Sequence, residues 1–140
     1  MEKFELSRPT DRLPLPGMCV LIADDSVALR QFLLIALQVT GFEIVSANDG
    51  RDAYEKAVAH SFDLIITDHN MPHVDGVELI TRLRALPQYK SVPILVLTVE
   101  TNEELKQKAK ASGATGWIVK PVHPDTIVTL VRKLLIPQIH

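Results

Sequence analysis

The chain has 140 residues, of which 46% are hydrophobic and 23% charged, with a formal net charge of -2. That is enough for one domain with a real core, and the mixed charges offer neither the basic stripe of a nucleic-acid binder nor an acidic tail. No apolar run approaches the roughly 20 residues a membrane span requires. The N-terminus lacks an apolar signal core, and the single cysteine, Cys19, can close no internal disulfide, so a cytoplasmic protein without membrane or direct nucleic-acid contact is expected.

Residues 1–17, MEKFELSRPTDRLPLPG, carry three prolines and no apolar period, which predicts a flexible arm without an element of its own. From Met18 onward, short apolar runs alternate with helix-like segments. CVLIA is followed by a helix over Ser26 to Thr40, FEIVSA by one over Arg51 to His60, and LIIT by one over Gly76 to Leu86. PILVLT is followed by Asn102 to Ser112, and GWIVK by Pro124 to Leu135. Runs such as VLIA and LIIT are apolar throughout, the pattern of parallel strands covered on both faces.

Helix punctuation agrees with this division. Ser26 is placed to cap the first helix and Gly41 to end it. Asp75 with Glu78, and Thr101 with Glu104, have capping-box spacing; Pro124 suits a first helical position, and Gly113 closes the fourth helix. The last helix groups Ile127, Leu130, Val131 and Leu134 on one face, with Val128 and Leu135 nearer its edge. Five strand–helix pairs predict a doubly wound α/β sheet over residues 18–136, followed by a short tail, 137–140. Such a sheet binds ligands at the carboxyl ends of its strands, where the winding reverses.

The predicted strand ends carry Asp24-Asp25, Asp68, Thr98 and Lys120-Pro121. Each has an ordinary explanation taken singly: helix capping for the acid pair, a loop acid, a β-forming threonine, a solvated lysine before proline. Together they bring three carboxylates, one hydroxyl and one ammonium to one edge of one sheet. Three carboxylates against one lysine leave a deficit that one hard divalent cation would fill, and Mg²⁺ suits a few carboxylates with positions left for phosphate oxygens. An aspartate beside such an ion can be the nucleophile of phosphoryl transfer, which depends mainly on positioning and charge neutralisation.

VLIADDS, LIITDHNMPHVDG, VLT and GATGWIVKP together resemble the CheY-like receiver domain of two-component response regulators, over about Met18 to Leu135. The resemblance implies a flavodoxin-like (βα)5 sheet of strand order 2-1-3-4-5. It implies that Asp68 accepts a phosphoryl group from a phosphohistidine on a sensor histidine kinase or histidine phosphotransfer protein. Mg²⁺ would be held by Asp24, Asp25, Asp68 and the backbone carbonyl of Asn70. Lys120 would pair with a phosphoryl oxygen, and Lys120-Pro121 falls where the family usually has a cis bond. Thr98 would swing to the phosphoryl group, and the ring of Trp117, where the family usually has Tyr or Phe, would follow it. The surface formed by the fourth helix, fifth strand and fifth helix would then change for a downstream target protein, as a monomer or a phosphorylation-linked dimer. Asn70 and Glu100 fall at positions that tune self-dephosphorylation.

Three departures from the family pattern stand out. Val99 replaces a small residue and is expected to narrow access to Asp68; His69 is expected to add positive charge at the rim; Trp117 is bulky enough to restrict the inward rotamer. His69 and His73 are disfavoured as a metal pair because Pro72 interrupts the helical register their spacing needs. The leading expectation is a stand-alone switch of chemotaxis-like kind, not an enzyme beyond its own phosphorylation and dephosphorylation, because the sequence stops shortly after the fifth helix. A receiver excised from a larger regulator or hybrid kinase is the alternative. An aspartyl-phosphate phosphatase is disfavoured because Asn70 stands where such enzymes carry a second aspartate, and a pseudo-receiver because every charged position is present.

Overall fold

The computed structural model describes residues 2–3 and 17–135; residues 4–16, most of the expected arm, and the 137–140 tail lie outside the described residues. Elements run β1 (Glu2–Lys3), β2 (Cys19–Ala23), α1 (Val27–Leu37), β3 (Glu43–Ala47), α2 (Gly50–Ala59), β4 (Leu64–Thr67) and α3 (Gly76–Arg84). They continue with β5 (Ile94–Thr98), α4 (Glu103–Ser112), β6 (Gly116–Val119) and α5 (Pro124–Leu135). The sheet order is β1-β6-β5-β4-β2-β3. β2 to β6 are parallel, so the five expected strands take the expected order 2-1-3-4-5.

Continuous apolarity in the strands follows from two cores. In β2, Cys19, Leu21 and Ala23 point into one cluster with Ala53 and Ala57 of α2 and Leu79, Ile80 and Leu83 of α3. Val20 and Ile22 point into the other, with Leu33 and Leu37 of α1 and Ile127, Leu130 and Val131 of α5. β5 divides likewise, Ile94 and Val96 to the first face and Leu95 and Leu97 to the second. A strand covered on both faces has no position where a polar side chain meets water, which is why LIIT ends abruptly at Asp68.

Several boundaries differ from expectation. Glu2–Lys3, inside the arm expected to hold no element, pairs antiparallel with β6. The fourth helix is capped by Asn102, whose side chain accepts from Leu105 N at 3.0 Å, and not by Thr101; the amide oxygen is the better acceptor at that position. α1 ends at Leu37 and tightens into a 3-10 turn before left-handed Gly41. α3 stops at Arg84, because Pro87 drives Leu86 into an extended conformation. In α5 Leu135 is buried and Leu134 only partly so: the inward stripe follows 127, 131 and 135, one residue in four.

Candidate functional site

Strand register assembles the acidic cluster. Ala23 of β2 lies opposite Thr67 of β4, so Asp24 and Asp68 leave adjacent strands side by side at the carboxyl edge. Asp68 N donates to Ala23 O at 2.9 Å and Asp24 N to Ala47 O at 3.2 Å, anchoring both residues to the sheet before their side chains turn outward. β2 is flanked by β4 on one side and β3 on the other, the point where winding reverses and a crevice opens. Asp24, Asp25 and Asp68 each offer a carboxylate oxygen within 4.8 Å of the others, and they form the one such group of three or more potential metal ligands among the described residues.

Lys120 closes the cluster from β6. Thr98 lies opposite Val119, and Lys120 N donates to Thr98 O at 2.8 Å, which places the lysine just past the strand end. Its Nζ stands 3.1 Å from Asp24 Oδ2 and 3.5 Å from Asp68 Oδ2. Asp24, 2% exposed, has its carboxyl pushed above the usual range by burial and by the neighbouring Asp68. The Ser26 backbone N–H and Lys120 oppose that rise. Asp68 is 8% exposed, and its Oδ1 accepts from the His69 backbone N–H at 2.7 Å. All three donors are hard carboxylate oxygens, a set that fits Mg²⁺, and one ammonium offsets only one of three acids.

The rim is organised by residues whose roles were only partly visible in the sequence. Asn70 Nδ2 donates to Glu100 Oε2 at 2.8 Å, joining the β4–α3 and β5–α4 loops. Val99 is 63% exposed and walls an apolar recess of about 370 Å³ with Leu29, Phe32, Pro121 and Val122 beside Lys120. His69 is partly buried, and its Nδ1 has no hydrogen-bond partner. His73 lies apart, exposed, with its Nε2 3.4 Å from Arg51 Nη2 and 4.0 Å from Asp49 Oδ2. Gly76 is more than a helix start: a Cβ there would come within 2.6 Å of Asp68 O and 2.8 Å of His69 Cα, so the loop carrying Asp68 lies against the first turn of α3. Gly50 receives the same loop from the other side, where a Cβ would meet the Val74 carbonyl oxygen. Arg30, not singled out in the sequence, donates to Asp24 O at 2.6 Å; a lone arginine in an amphipathic helix carries no signal for such a contact.

Thr98 is 0% exposed, and its Oγ1 accepts from Glu100 N at 3.3 Å. Trp117 pairs with Val96, two residues before Thr98. Alternation along β5 puts Thr98 on the same sheet face as Val96 and Trp117. Trp117 is 5% exposed and shares a core cluster with Ala109 of α4 and Ala114. The indole is buried there beside small residues. Lys120-Pro121 is cis.

A family model for the response regulator receiver domain matches residues 20–132. The transcriptional regulatory protein SrrA of Staphylococcus aureus is 36% identical over 116 residues, covering 83% of this chain and 47% of that protein; the chain thus spans about half the length of the curated relatives it matches. The chemotaxis response regulator CheY4 of Vibrio cholerae is 46% identical with a TM-score of 0.80, over 85% of this chain and 99% of that one. A response regulator protein from Burkholderia multivorans is 41% identical with a TM-score of 0.76, over 89% and 99%. No helix among the described residues is long and apolar enough to cross a membrane. With the parallel sheet, the acid cluster and a match spanning most of its length, the chain belongs to the response regulator receiver family of two-component signalling.

Proposed function

We propose that the chain is a phosphoacceptor switch in which Asp68 receives a phosphoryl group from the phosphohistidine of a sensor histidine kinase or histidine phosphotransfer protein. The observation that carries this reading is the convergence of Asp24, Asp25 and Asp68 within 4.8 Å, with the Lys120 ammonium at 3.1 and 3.5 Å from two of them. An Asp68 carboxylate oxygen attacks phosphorus; the new P–O bond forms as the P–N bond breaks, and the imidazole leaves with a proton. Lys120, already beside Asp68, pairs with a phosphoryl oxygen as negative charge builds there.

Asp24, Asp25, Asp68 and the Asn70 carbonyl are the groups that would hold Mg²⁺, which when bound neutralises phosphoryl oxygens and orients the donor. Docking of the donor is supported by exposed Val27, Ile35 and Val39 on and just beyond α1, on a row shared with exposed Gln31 that begins two residues after Asp25 and suits a helical partner. After transfer, the Thr98 hydroxyl exchanges its bond from Glu100 N for the phosphoryl group. The shared face of Thr98 and Trp117 carries that change to α4, β6 and α5, where a downstream protein binds. Asn70 and Glu100, bonded to each other over the site, set how easily water reaches the phosphoryl group. The chain catalyses nothing beyond its own phosphorylation and dephosphorylation and works in the cytoplasm.

A chemotaxis-like role draws on the likeness to CheY4. The second reading, a receiver within a longer regulator, draws on the SrrA relatives, of whose length the match covers 47%; sequencing past codon 140 decides between them. The central test is incubation with Mg²⁺ and acetyl phosphate. Wild-type chain should gain one acid-stable, base-labile phosphoryl mass and Asp68→Asn none; equal labelling of both, or of neither, overturns the reading.

A further inference from the structure

The sheet has two outer edges of unlike chemistry. β3 opens with exposed Glu43, a charge of the kind that discourages a second strand from pairing. β6 reads Gly-Trp-Ile-Val: it has neither charge nor proline, and its backbone groups would stand open as a template for another chain. That edge carries the antiparallel strand β1, with Glu2 opposite Trp117 and Lys3 opposite Gly116. The direction is consistent with the connection. Running antiparallel to β6, β1 leaves toward the amino end of the sheet, where β2 begins at Cys19. Four strand spacings separate β1 from β2, roughly 19 Å at ~4.8 Å each, well within the reach of the residues between them.

We propose that Glu2–Lys3 is a releasable cap on the β6 edge, and that once it leaves, this edge pairs antiparallel with β6 of a second copy of the chain. The cap already shows that the edge accepts an antiparallel strand, and two identical edges pair antiparallel about a two-fold axis without any further complementarity. Release is easy because the ladder is two residues long, and so short a pairing barely repays the order it imposes. The helices leave the edge accessible: between β6 and α5 runs an open groove of about 660 Å³ walled by Ile118, Val122, Thr126, Thr129 and Lys133. Val119, past the capped positions, is exposed and would extend a β6–β6 ladder beyond the cap's length. Phosphoryl transfer plays no part in the device, so Asp68→Asn chain should keep it.

The test compares the full chain with a Glu2→Pro, Lys3→Pro variant, which loses two backbone N–H donors, and with a Glu2→Ala, Lys3→Ala variant, which keeps them. Both substitutions remove one acid and one base, so net charge is constant. Hydrogen exchange of the Gly116–Val119 amides and sedimentation over a range of protein concentration are measured on all three. The expected result is several-fold faster exchange in the proline variant at low concentration and its self-association as concentration rises, with the alanine variant like wild type. Equal exchange in all three chains, faster exchange without self-association, or an alanine variant behaving like the proline one each overturns the proposal.

Discussion

Replacing Asp24 by Asn should stabilise the fold in the absence of divalent cations and destabilise it relative to wild type in their presence. Asp24 is buried, sits within 4.8 Å of two other carboxylates and has one ammonium at 3.1 Å. At an effective dielectric of about 20, each carboxylate pair at that separation costs about 3.5 kcal/mol and the lysine contact returns about 5 kcal/mol. The substitution removes two repulsions and one attraction. Once exposed Asp25 is discounted for solvent screening these pair energies nearly cancel, so the gain comes from no longer burying a charge, the largest influence on Asp24; it is on the order of 1 kcal/mol, a rise in Tm of a few degrees for a domain of this size. The pH dependence has a definite sign. Because folding raises the Asp24 pKa, the folded chain holds a proton that the unfolded chain releases, and stability falls as pH climbs from the ordinary carboxylate range through the raised value. The advantage of Asn should therefore be full at neutral pH and shrink in acid. With Mg²⁺ at a hundred times its Kd, wild type gains about 2.7 kcal/mol from binding to the native state, and the order inverts. Thermal melts followed by circular dichroism in EDTA and in Mg²⁺, at pH 7 and in mild acid, read all of this. A variant less stable than wild type in EDTA at pH 7, or one that responds to Mg²⁺ as wild type does, would refute the charge argument.

The remaining predictions concern the supports of the site. Gly76→Ala should cost about 2–4 kcal/mol in denaturant melts, since the new Cβ would lie 2.6 Å from Asp68 O, a backbone atom that cannot rotate aside; because that atom belongs to the proposed phosphoacceptor, labelling by acetyl phosphate should slow as well. Arg84→Met should cost about 3 kcal/mol or more in the same assay: the guanidinium supplies Tyr89 O, Val92 O and Gly113 O at 2.5, 2.6 and 2.8 Å, and its loss leaves those carbonyls without a donor. Asn70→Ala, which breaks the 2.8 Å bond to Glu100, should change the phosphoryl lifetime on Asp68 several-fold with little effect on Tm, measured by decay of the labelled chain after donor removal.

The sequence carried the fold because a parallel strand buried on both faces has a signature that local composition cannot blur, and because Ser26, Asp75, Pro124 and Gly113 punctuate their helices by local chemistry alone. The site was legible for a related reason: a charge ending such a strand is costly unless it is used. What stayed hidden depends on contacts between distant segments. Gly76 reads as a helix start and Gly50 carries no signal of its own, and only packing against residues 68–74 shows why a Cβ is excluded at both. Arg84 carries no signal in the sequence, yet it ties the end of α3 to Gly113, 29 positions later. Tyr89, two residues after Pro87, carries no such signal, yet its hydroxyl lies 2.7 and 2.8 Å from Ala57 O and His60 O and shares its one proton between them. The pairing of Glu2–Lys3 with β6 is a ladder of two residues, too short for an alternating pattern to announce it.

The arrangement of supports explains how an unfavourable charge cluster is tolerated and where its release can be felt. Every backbone segment bearing an acid is fixed from behind: Asp24 by Ala47 O and Arg30, Asp68 by Ala23 O and by the close approach of Gly76. The repulsion among the carboxylates therefore cannot relax by moving the β2 and β4 loops apart. It acts instead on the cluster's one partner from outside those loops, Lys120, which is carried by β6. β6 is held on its inner side by β5 and on its outer side by two residues of β1. A change in charge at Asp68 that redirects Lys120 would therefore bear on a strand whose outer neighbour is only two residues long, with Trp117 three residues before the lysine and on the face of Thr98.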